Sequence, residues 1–404
     1  MNHIKKSLAV INFFLADVRD GIGPFLAVYL IAELNWTSDK IGMIMTIGGI
    51  ATLLLQIPAG AIVDQTKYKR FILIFSSTVI AFSMLLIQFY PSYSLILMSK
   101  FIVGASAAFI APVIAALTLG TVGAVYYAKQ VANNESYNHL GNIFACIMAA
   151  IIAKTIGLGF LFSFSAVMAL FVIIATLSVK PKSIDHYAAR GLDKSVTNYQ
   201  PSSTVILFKN KILLVFGLSI LMFHLSNAAM LLLLGEEVAL KYSGADSIMF
   251  LSGSIISAQA IMFLMTLLAK SRIDKWGRKP LFLIAFIVLP IRGILFILSS
   301  NPYYLLLIQL LDGVAAGLFG VLFPVVVADF TKGSGHYNIA LGALSAMQGI
   351  GATLSIFLSG FIVKHFGFQI AFLMLSGFAL IALIIYAIFV PESKDHSTLA
   401  DEHA

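Results

Sequence analysis

Residues 305–328 read LLLIQLLDGVAAGLFGVLFPVVVA, and this stretch decides the fold class. It carries a single charge, Asp312, and shows no alternation of apolar and polar positions. A helix rising 1.5 Å per residue covers about 36 Å over such a length, enough to cross a bilayer core of roughly 30 Å. A lipid-facing β-barrel strand would alternate with a period of two. The rest of the chain follows the same rule. Sixty per cent of its 404 residues are apolar and 11% are charged, about half the charge density of soluble domains. Mean hydropathy is +0.97. A single soluble core stops growing near 250–300 residues, so the excess of apolar residues belongs to lipid-facing helices.

Apolar runs separated by turn and cap signals place twelve spans near 7–33, 39–62, 71–89, 93–119, 135–154, 160–179, 212–240, 248–269, 281–299, 303–328, 337–362 and 368–390. The expected fold is an all-α membrane protein of twelve transmembrane helices in two pseudo-symmetric six-helix bundles. The bundles occupy 1–179 and 212–390, joined by a polar linker at 180–211 and followed by a tail at 391–404. With a cytoplasmic N-terminus, 19 Lys and Arg residues fall on the cytoplasmic side and 4 on the other. That asymmetry is the positive-inside pattern. It puts both termini in the cytoplasm and accounts for the net charge of +8 without any nucleic-acid partner. Cys146, the single cysteine, excludes an internal disulfide or a cysteine metal cluster and reads as a packed core thiol. The N-terminus lacks a small-residue cleavage site and reads as a retained first helix.

The halves repeat. AGAIVDQTKYKR (59–70) answers AKSRIDKWGRKP (269–280), KFIVGASAA (100–108) answers QLLDGVAAG (309–317), and AKTIGLGFLF (153–162) answers VKHFGFQIAF (363–372). Asp64 and Asp274 lie 210 apart, Gly104 and Gly313 lie 209 apart, and Gly157 and Gly367 lie 210 apart. Three landmarks in near-constant register indicate a duplicated six-helix unit.

On these residues the chain resembles the major facilitator superfamily over nearly its whole length. The family's loop signature G-x-x-x-D-(R/K)-x-G-R-(K/R) is matched by Asp274, Lys275, Gly277, Arg278 and Lys279, with Lys270 at the leading glycine position. The first copy keeps Gly60, Asp64, Lys69 and Arg70, with Gln65 and Lys67 as departures. The fourth-span signature R-x-x-x-G survives as Lys100 to Gly104, with lysine for arginine. The resemblance implies a transporter with its site near the bilayer midplane.

Ionisable residues inside spans are costly and mark function by default. In FFLADVRDGIGPF (13–25), Asp17, Arg19 and Asp20 cannot all share one face of a regular helix: Asp17 and Asp20 lie about 60° apart and Arg19 about 160° from Asp17. Gly21, Gly23 and Pro24 would let the helix break there. The charges then line a cavity, or else brace the first span as a buried pair. The matching part of the seventh span sets His224 opposite Asp17, Asn227 opposite Asp20 and Glu236 opposite Tyr29. In the fifth span Glu135, His139 and Asn142 share a stripe, and Glu135 with His139 can form a pH-dependent pair. Lys100, Arg292 and Asp312 complete the set. The candidate solute or proton residues are thus Asp17, Arg19, Asp20, Lys100, Glu135, His139, His224, Asn227, Glu236, Arg292 and Asp312. The candidate gate comprises Gly60, Asp64, Lys69, Arg70, Asp274, Gly277, Arg278 and Lys279.

No Walker A loop, H-E-x-x-H pair or G-x-S-x-G elbow occurs in the sequence, which argues against ATP-driven pumping and hydrolysis. The expected activity is proton-coupled movement of a small anionic or zwitterionic solute by a monomer in the bacterial inner membrane, with no cofactor or metal. Drug or siderophore efflux and lipid handling are the alternatives, and a non-transporting receptor the least favoured. The fifth span has no proline, unlike the glycine- and proline-rich signature of drug-exporting relatives.

Overall fold

The structure, a computed structural model, describes residues 2–18, 25, 26, 29, 30, 33–36, 38–192, 210–241, 244–299 and 301–394. Every regular element among them is helical. The chain divides into two compact units, each described by itself. The first is Met1–Tyr199 with Gly333–Ala343, and the second is Gln200–Lys332 with Leu344–Ala404.

The first unit contains α1 (Asn2–Val18), α2 (Ser38–Gln65), α3 (Lys69–Phe89), α4 (Tyr93–Thr155) and α5 (Phe160–Ser178), then single 3-10 turns at Pro181–Ser183 and Ala188–Arg190. The second contains α6 (Lys211–Asn227), α7 (Met230–Lys241), α8 (Gly244–Trp276), α9 (Arg278–Phe296), α10 (Pro302–Phe330), most of α11 (Tyr337–Phe366) and α12 (Phe368–Phe389). The opening turns of α11 fall in the first unit, so a division at the linker alone misplaces residues 333–343.

Ten helical stretches of the described chain are long and apolar enough to span a bilayer. One of them, α4, takes in the fourth and fifth expected spans together. Straight, its 63 residues would reach about 95 Å. It turns instead at Gly123, whose φ of 73° and ψ of 171° suit glycine alone. Helical hydrogen bonding resumes at once, so the connection expected over 120–134 is no loop. Divided there, the ten stretches give eleven spans. The first span is described only in part, through α1 and residues 25, 26, 29 and 30. The seventh expected span has the opposite surprise: it is interrupted at Ala228 and Ala229, between α6 and α7. There the Ala229 amide donates to Ser355 Oγ at 3.1 Å.

Small residues set the crossings, as in membrane bundles generally. A Cβ on Gly104 would lie 2.1 Å from the Gly48 carbonyl oxygen, so α4 rests backbone to backbone on α2. Thr52 Oγ1 donates across that crossing to the Gly104 carbonyl at 2.8 Å. The matching Gly313 lets α10 approach α8 in the same way, with Ala258 O 2.6 Å from its hypothetical Cβ. The second unit fills its interior with rings: Phe216, Phe223, Phe282, Phe286 and Tyr386 are all buried, and Phe286 stacks on Tyr386 at 4.5 Å.

Replacing Gly104 by valine therefore destabilises the folded protein by about 1–3 kcal/mol through overpacking. Gly49→Ala, where a Cβ meets nothing within 4 Å, changes stability by about 0.5 kcal/mol or less. Thermal melting in detergent compares the two.

Candidate functional site

A closed polar network lies inside the second unit. Arg292, on α9 in the turn after Pro290, is fully buried. Its Nη1 donates to Asn227 Oδ1 at 2.5 Å and to Asp312 Oδ1 at 2.7 Å, and its Nη2 donates to Gln309 Oε1 at 2.9 Å. Gln309 Nε2 in turn donates to Asp312 Oδ2 at 3.2 Å. The i,i+3 spacing of Gln309 and Asp312 stacks them on one face of α10, while Asn227 reaches the network from the last residue of α6. A buried guanidinium is tolerated only with partners of this kind. The guanidinium also lies over the Phe296 ring at 5.3 Å. Its Nε has no hydrogen-bond partner among the described residues.

His224 sits one turn before Asn227 on the same face of α6. Its ring meets Phe319 edge-on at 4.8 Å and Phe223 at 5.3 Å. Its Nε2 is buried and has no hydrogen-bond partner among the described residues. Glu236, grouped with these by sequence, is exposed on α7 and does not join them, because it belongs to the helix beyond the interruption. Gln309 was missed from sequence. Its signals were a polar residue in an apolar run and its match to Lys100 in the repeat.

In the first unit Asp17 is half-buried on α1. It lies one turn beyond Phe13, whose carbonyl oxygen sits 2.0 Å from the Cβ position of Gly141. The α1 helix thus crosses the second leg of α4 just before Asp17. Arg19, Asp20, Gly21, Gly23 and Pro24, and with them the expected helix break, lie outside the described residues. Lys100 is buried at the α2–α4 crossing, its Cε 3.4 Å from the Cβ position of Gly48. Glu135 Oε2 accepts from Asn138 Nδ2 at 3.1 Å, and His139 is buried one turn on. Beside them runs a chain the sequence reading did not single out. Gln130 Nε2 donates to Asn134 Oδ1 at 2.8 Å, and Asn134 Nδ2 donates to Thr118 Oγ1 at 3.0 Å, tying the two legs of α4 together. Cys146 is half-buried, not packed in the core.

Several of the candidate gate residues sit at helix ends. Asp64 accepts from the Ile339 amide at 2.9 Å, the Asn338 amide at 3.3 Å and Asn338 Nδ2 at 2.8 Å. A buried carboxylate therefore caps the first turn of α11, where the helix dipole favours it. Gly60 permits the approach: a Cβ there would lie 2.2 Å from the Asn338 carbonyl oxygen. Lys69 and Arg70 do the converse for helix C-termini. Lys69 Nζ donates to Thr66 O at 2.7 Å, and Arg70 donates to Thr176 O and Leu177 O at 3.3 and 3.0 Å.

The second copy of the motif is wired differently. Glu392 accepts from the Arg278 and Lys279 amides at 2.9 and 3.0 Å, capping α9. Gly277, with φ 86°, leaves room for that carboxylate. Arg278 Nε pairs with Asp329 Oδ2 at 3.0 Å, whereas Asp274 Oδ1 stands 3.9 Å from Arg278 Nη1. Asp274, a candidate gate residue, is thus a more distant partner of Arg278 than Asp329 is, and the expected tail docks through Glu392 and Ser393. Lys279 Nζ donates to Ala387 O at 2.8 Å.

The sequence profile of the Major Facilitator Superfamily matches residues 8–273 and 251–403. The chain belongs to this superfamily. It is 39% identical over 394 residues to an uncharacterized MFS-type transporter of Mycobacterium tuberculosis, covering 97% of this chain and 94% of that one. It is 31% identical over 164 residues to the multi-drug resistance efflux pump PmrA of Streptococcus pneumoniae, 40% of each chain. Among solved structures it superposes on the transporter FucP in the outward conformation with a TM-score of 0.76 at 14% identity, covering 94% of this chain and 97% of that one. It superposes on the proton:xylose symporter XylE with a TM-score of 0.72 at 15% identity, covering 97% and 96%. The protein is thus a multi-pass membrane transporter.

In this transporter the start of the linker is an ordered strap. The Asp185 amide donates to Gly120 O at 2.7 Å, beside the α4 turn, and Asp185 Oδ1 accepts from the Tyr187 and Ala188 amides. The strap's Ala189 and Gly191 carbonyls accept from Asn338 Nδ2 at 2.9 Å and from the Gly333 amide at 2.6 Å. Tyr127 and Tyr337 join hydroxyl to hydroxyl in the same unit. Residues 193–209 of the linker lie outside the described residues. Burial of His186, reinforced by Lys69 and Lys67 and opposed by Asp185, holds its imidazole below the usual histidine range.

Asp64→Ala removes three accepted bonds and leaves the α11 amides uncapped. Hydrogen exchange at 338–340 accelerates by about fivefold to thirtyfold, matching a cap worth roughly 1–2 kcal/mol. Because docking lowers the affinity of His186 for protons, acid favours the undocked strap as pH falls through the ordinary histidine range towards the lowered value. After correction for intrinsic rates, amides at 185–192 exchange faster at pH 5.5 than at pH 7.5, and His186→Gln abolishes the difference.

Proposed function

We propose that this transporter moves a small anionic or zwitterionic solute by proton-coupled alternating access in the bacterial inner membrane, with both termini cytoplasmic. The supporting observation is the Arg292–Asp312 pair within the apolar interior of the second unit. Arg292 is wholly buried while the Asp312 side chain keeps 14% exposure, so the carboxylate is the member a proton reaches. Protonating Asp312 removes the anion that neutralises Arg292. A solute carboxylate then takes its place on the guanidinium, and deprotonation of Asp312 drives it off again. Asn227 and Gln309 hold the guanidinium in position throughout. Asp17, Lys100, Glu135 and His139 are proposed as the first unit's solute or proton contacts. The asymmetry of Lys and Arg supports the orientation. Efflux is the second reading, favoured by the match to the pneumococcal pump over 164 residues.

Reconstituted protein with an internal pH dye tests the reading against a panel of carboxylates and amino acids. At least one solute drives proton movement in the wild type. Asp312→Asn keeps solute exchange but loses the coupled proton. Arg292→Gln lowers transport at least tenfold, as expected for lost charge-assisted bonds. Absence of proton flux with every solute would refute the proposal.

A further inference from the structure

The strap at 181–192 is attached differently on its two sides. Towards α4 it is anchored by packing. Ile184 and Ala189 are buried, and a Cβ on Gly120 would lie 2.9 Å from Ala189 Cβ and 3.2 Å from Ile184 Cγ2. The Asp185 amide adds its bond to Gly120 O on the same side. Towards α11 the strap works through polar contacts: Ala189 O accepts from Asn338 Nδ2, and Gly191 O accepts from the Gly333 amide. Gly191 reaches Gly333 with a φ of 78°, a left-handed conformation that suits glycine. Apolar packing holds a segment in place, whereas bonds between neutral groups exchange for bonds to water at little net cost. The strap is thus fixed to α4 and releasable from α11.

What it holds is a helix shared by both units. The α11 helix runs from Tyr337 to Phe366, starting in the first unit and continuing in the second. Movement between the units either bends α11 near residue 343 or lifts its opening turns off the first unit. A proline, the usual seat of a sharp kink, is absent from 337–366. Asn338 joins the strap to the Asp64 cap, since its Nδ2 donates both to Asp64 Oδ1 and to Ala189 O. We infer that the strap is a latch on the transport cycle: it holds the opening of α11 on the first unit, and its bonds to Asn338 and Gly333 break before the transporter opens to the cytoplasm. This rests on the alternating-access reading and adds a gated step to it.

Hydrogen exchange and transport by the full chain test the latch. Gly120→Val drives a side chain into Ile184 and Ala189, and Gly191→Val forbids the backbone turn that brings its carbonyl to Gly333. Each variant accelerates exchange at 185–192, and with it exchange at 337–343 by about fivefold to a hundredfold, the worth of two neutral hydrogen bonds. A cross-link makes the opposite test. The Gly333–Gly191 bond brings the two Cα atoms within about 5–6 Å, inside disulfide range. In a Cys146→Ser background, Gly191→Cys with Gly333→Cys therefore closes the latch on oxidation. Oxidation stops the proton flux that any carboxylate or amino acid of the panel drives, and reduction restores it. Melting identifies any variant that fails to fold, and the exchange result stands independently of the cross-link. Unchanged exchange at 337–343 in both valine variants, or undiminished flux in the oxidised pair, leaves the strap a passive tether and overturns the inference while the transporter reading stands. If no solute drives flux in the wild type, the transporter reading falls and the latch on its cycle falls with it.

Discussion

A guanidinium buried in an apolar bundle constrains everything near it. Arg292 cannot shed its charge, and an unpaired cation at mid-span costs several kcal/mol. The second unit meets that cost with three side chains from two helices. Asp312 supplies the countercharge, Gln309 engages the second terminal nitrogen while donating to the same aspartate, and Asn227 reaches the first. Asn227 is the last residue of α6. Just beyond it, where the seventh span is interrupted, the Ala229 amide donates to Ser355 Oγ.

Helix ends impose the second constraint. The terminal amides and carbonyls of each helix lack partners within it, and here charged side chains from elsewhere in the chain provide several of them. Asp64 caps α11, Glu392 caps α9, Arg70 takes the last carbonyls of α5 and Lys69 takes a carbonyl of the α2 end. A charge on a helix end both completes hydrogen bonding and opposes the dipole. It also concentrates contact energy at a few points that can be exchanged as a set. The strap adds backbone acceptors at Ala189 and Gly191 to the same turn that Asp64 caps.

The sequence made the helical class and most spans legible because each needs only a run of apolar residues of bilayer length. Asp64 stood out in the sequence as the acidic residue of the first motif copy, and its carboxylate accepts from the Asn338 and Ile339 amides. The helical course of the chain right up to and away from the Gly123 turn was hidden, since residues 120–134 carry enough polar side chains to read as a loop. Those polar residues are in fact satisfied internally, through Gln130, Asn134 and Thr118. Glu392 was unreadable for another reason. Acidic residues in a tail look solvated, and only the folded chain shows one returning to Arg278 and Lys279. The pairing of Arg292 with Asp312 was not legible, because partners 20 residues apart on neighbouring helices leave no local pattern.

The duplication shows which features geometry fixes. Gly104 and Gly313 each sit where a Cβ would strike backbone. Gly123 and Gly333, 210 apart, both hold positive φ, as do Gly157 and Gly367. Two residues before the first pair, Thr121 and Thr331 each return a hydroxyl to the carbonyl four residues back, at 2.7 Å in both cases. These positions serve the backbone, and a twofold-repeated backbone demands the same residue twice. The polar side chains obey no such rule: Lys100 matches Gln309, and Asp17 matches His224. The helix-end caps diverge as well, with Asp64 serving α11 and Glu392 serving α9, so side chains vary between the copies wherever the repeated backbone does not fix them.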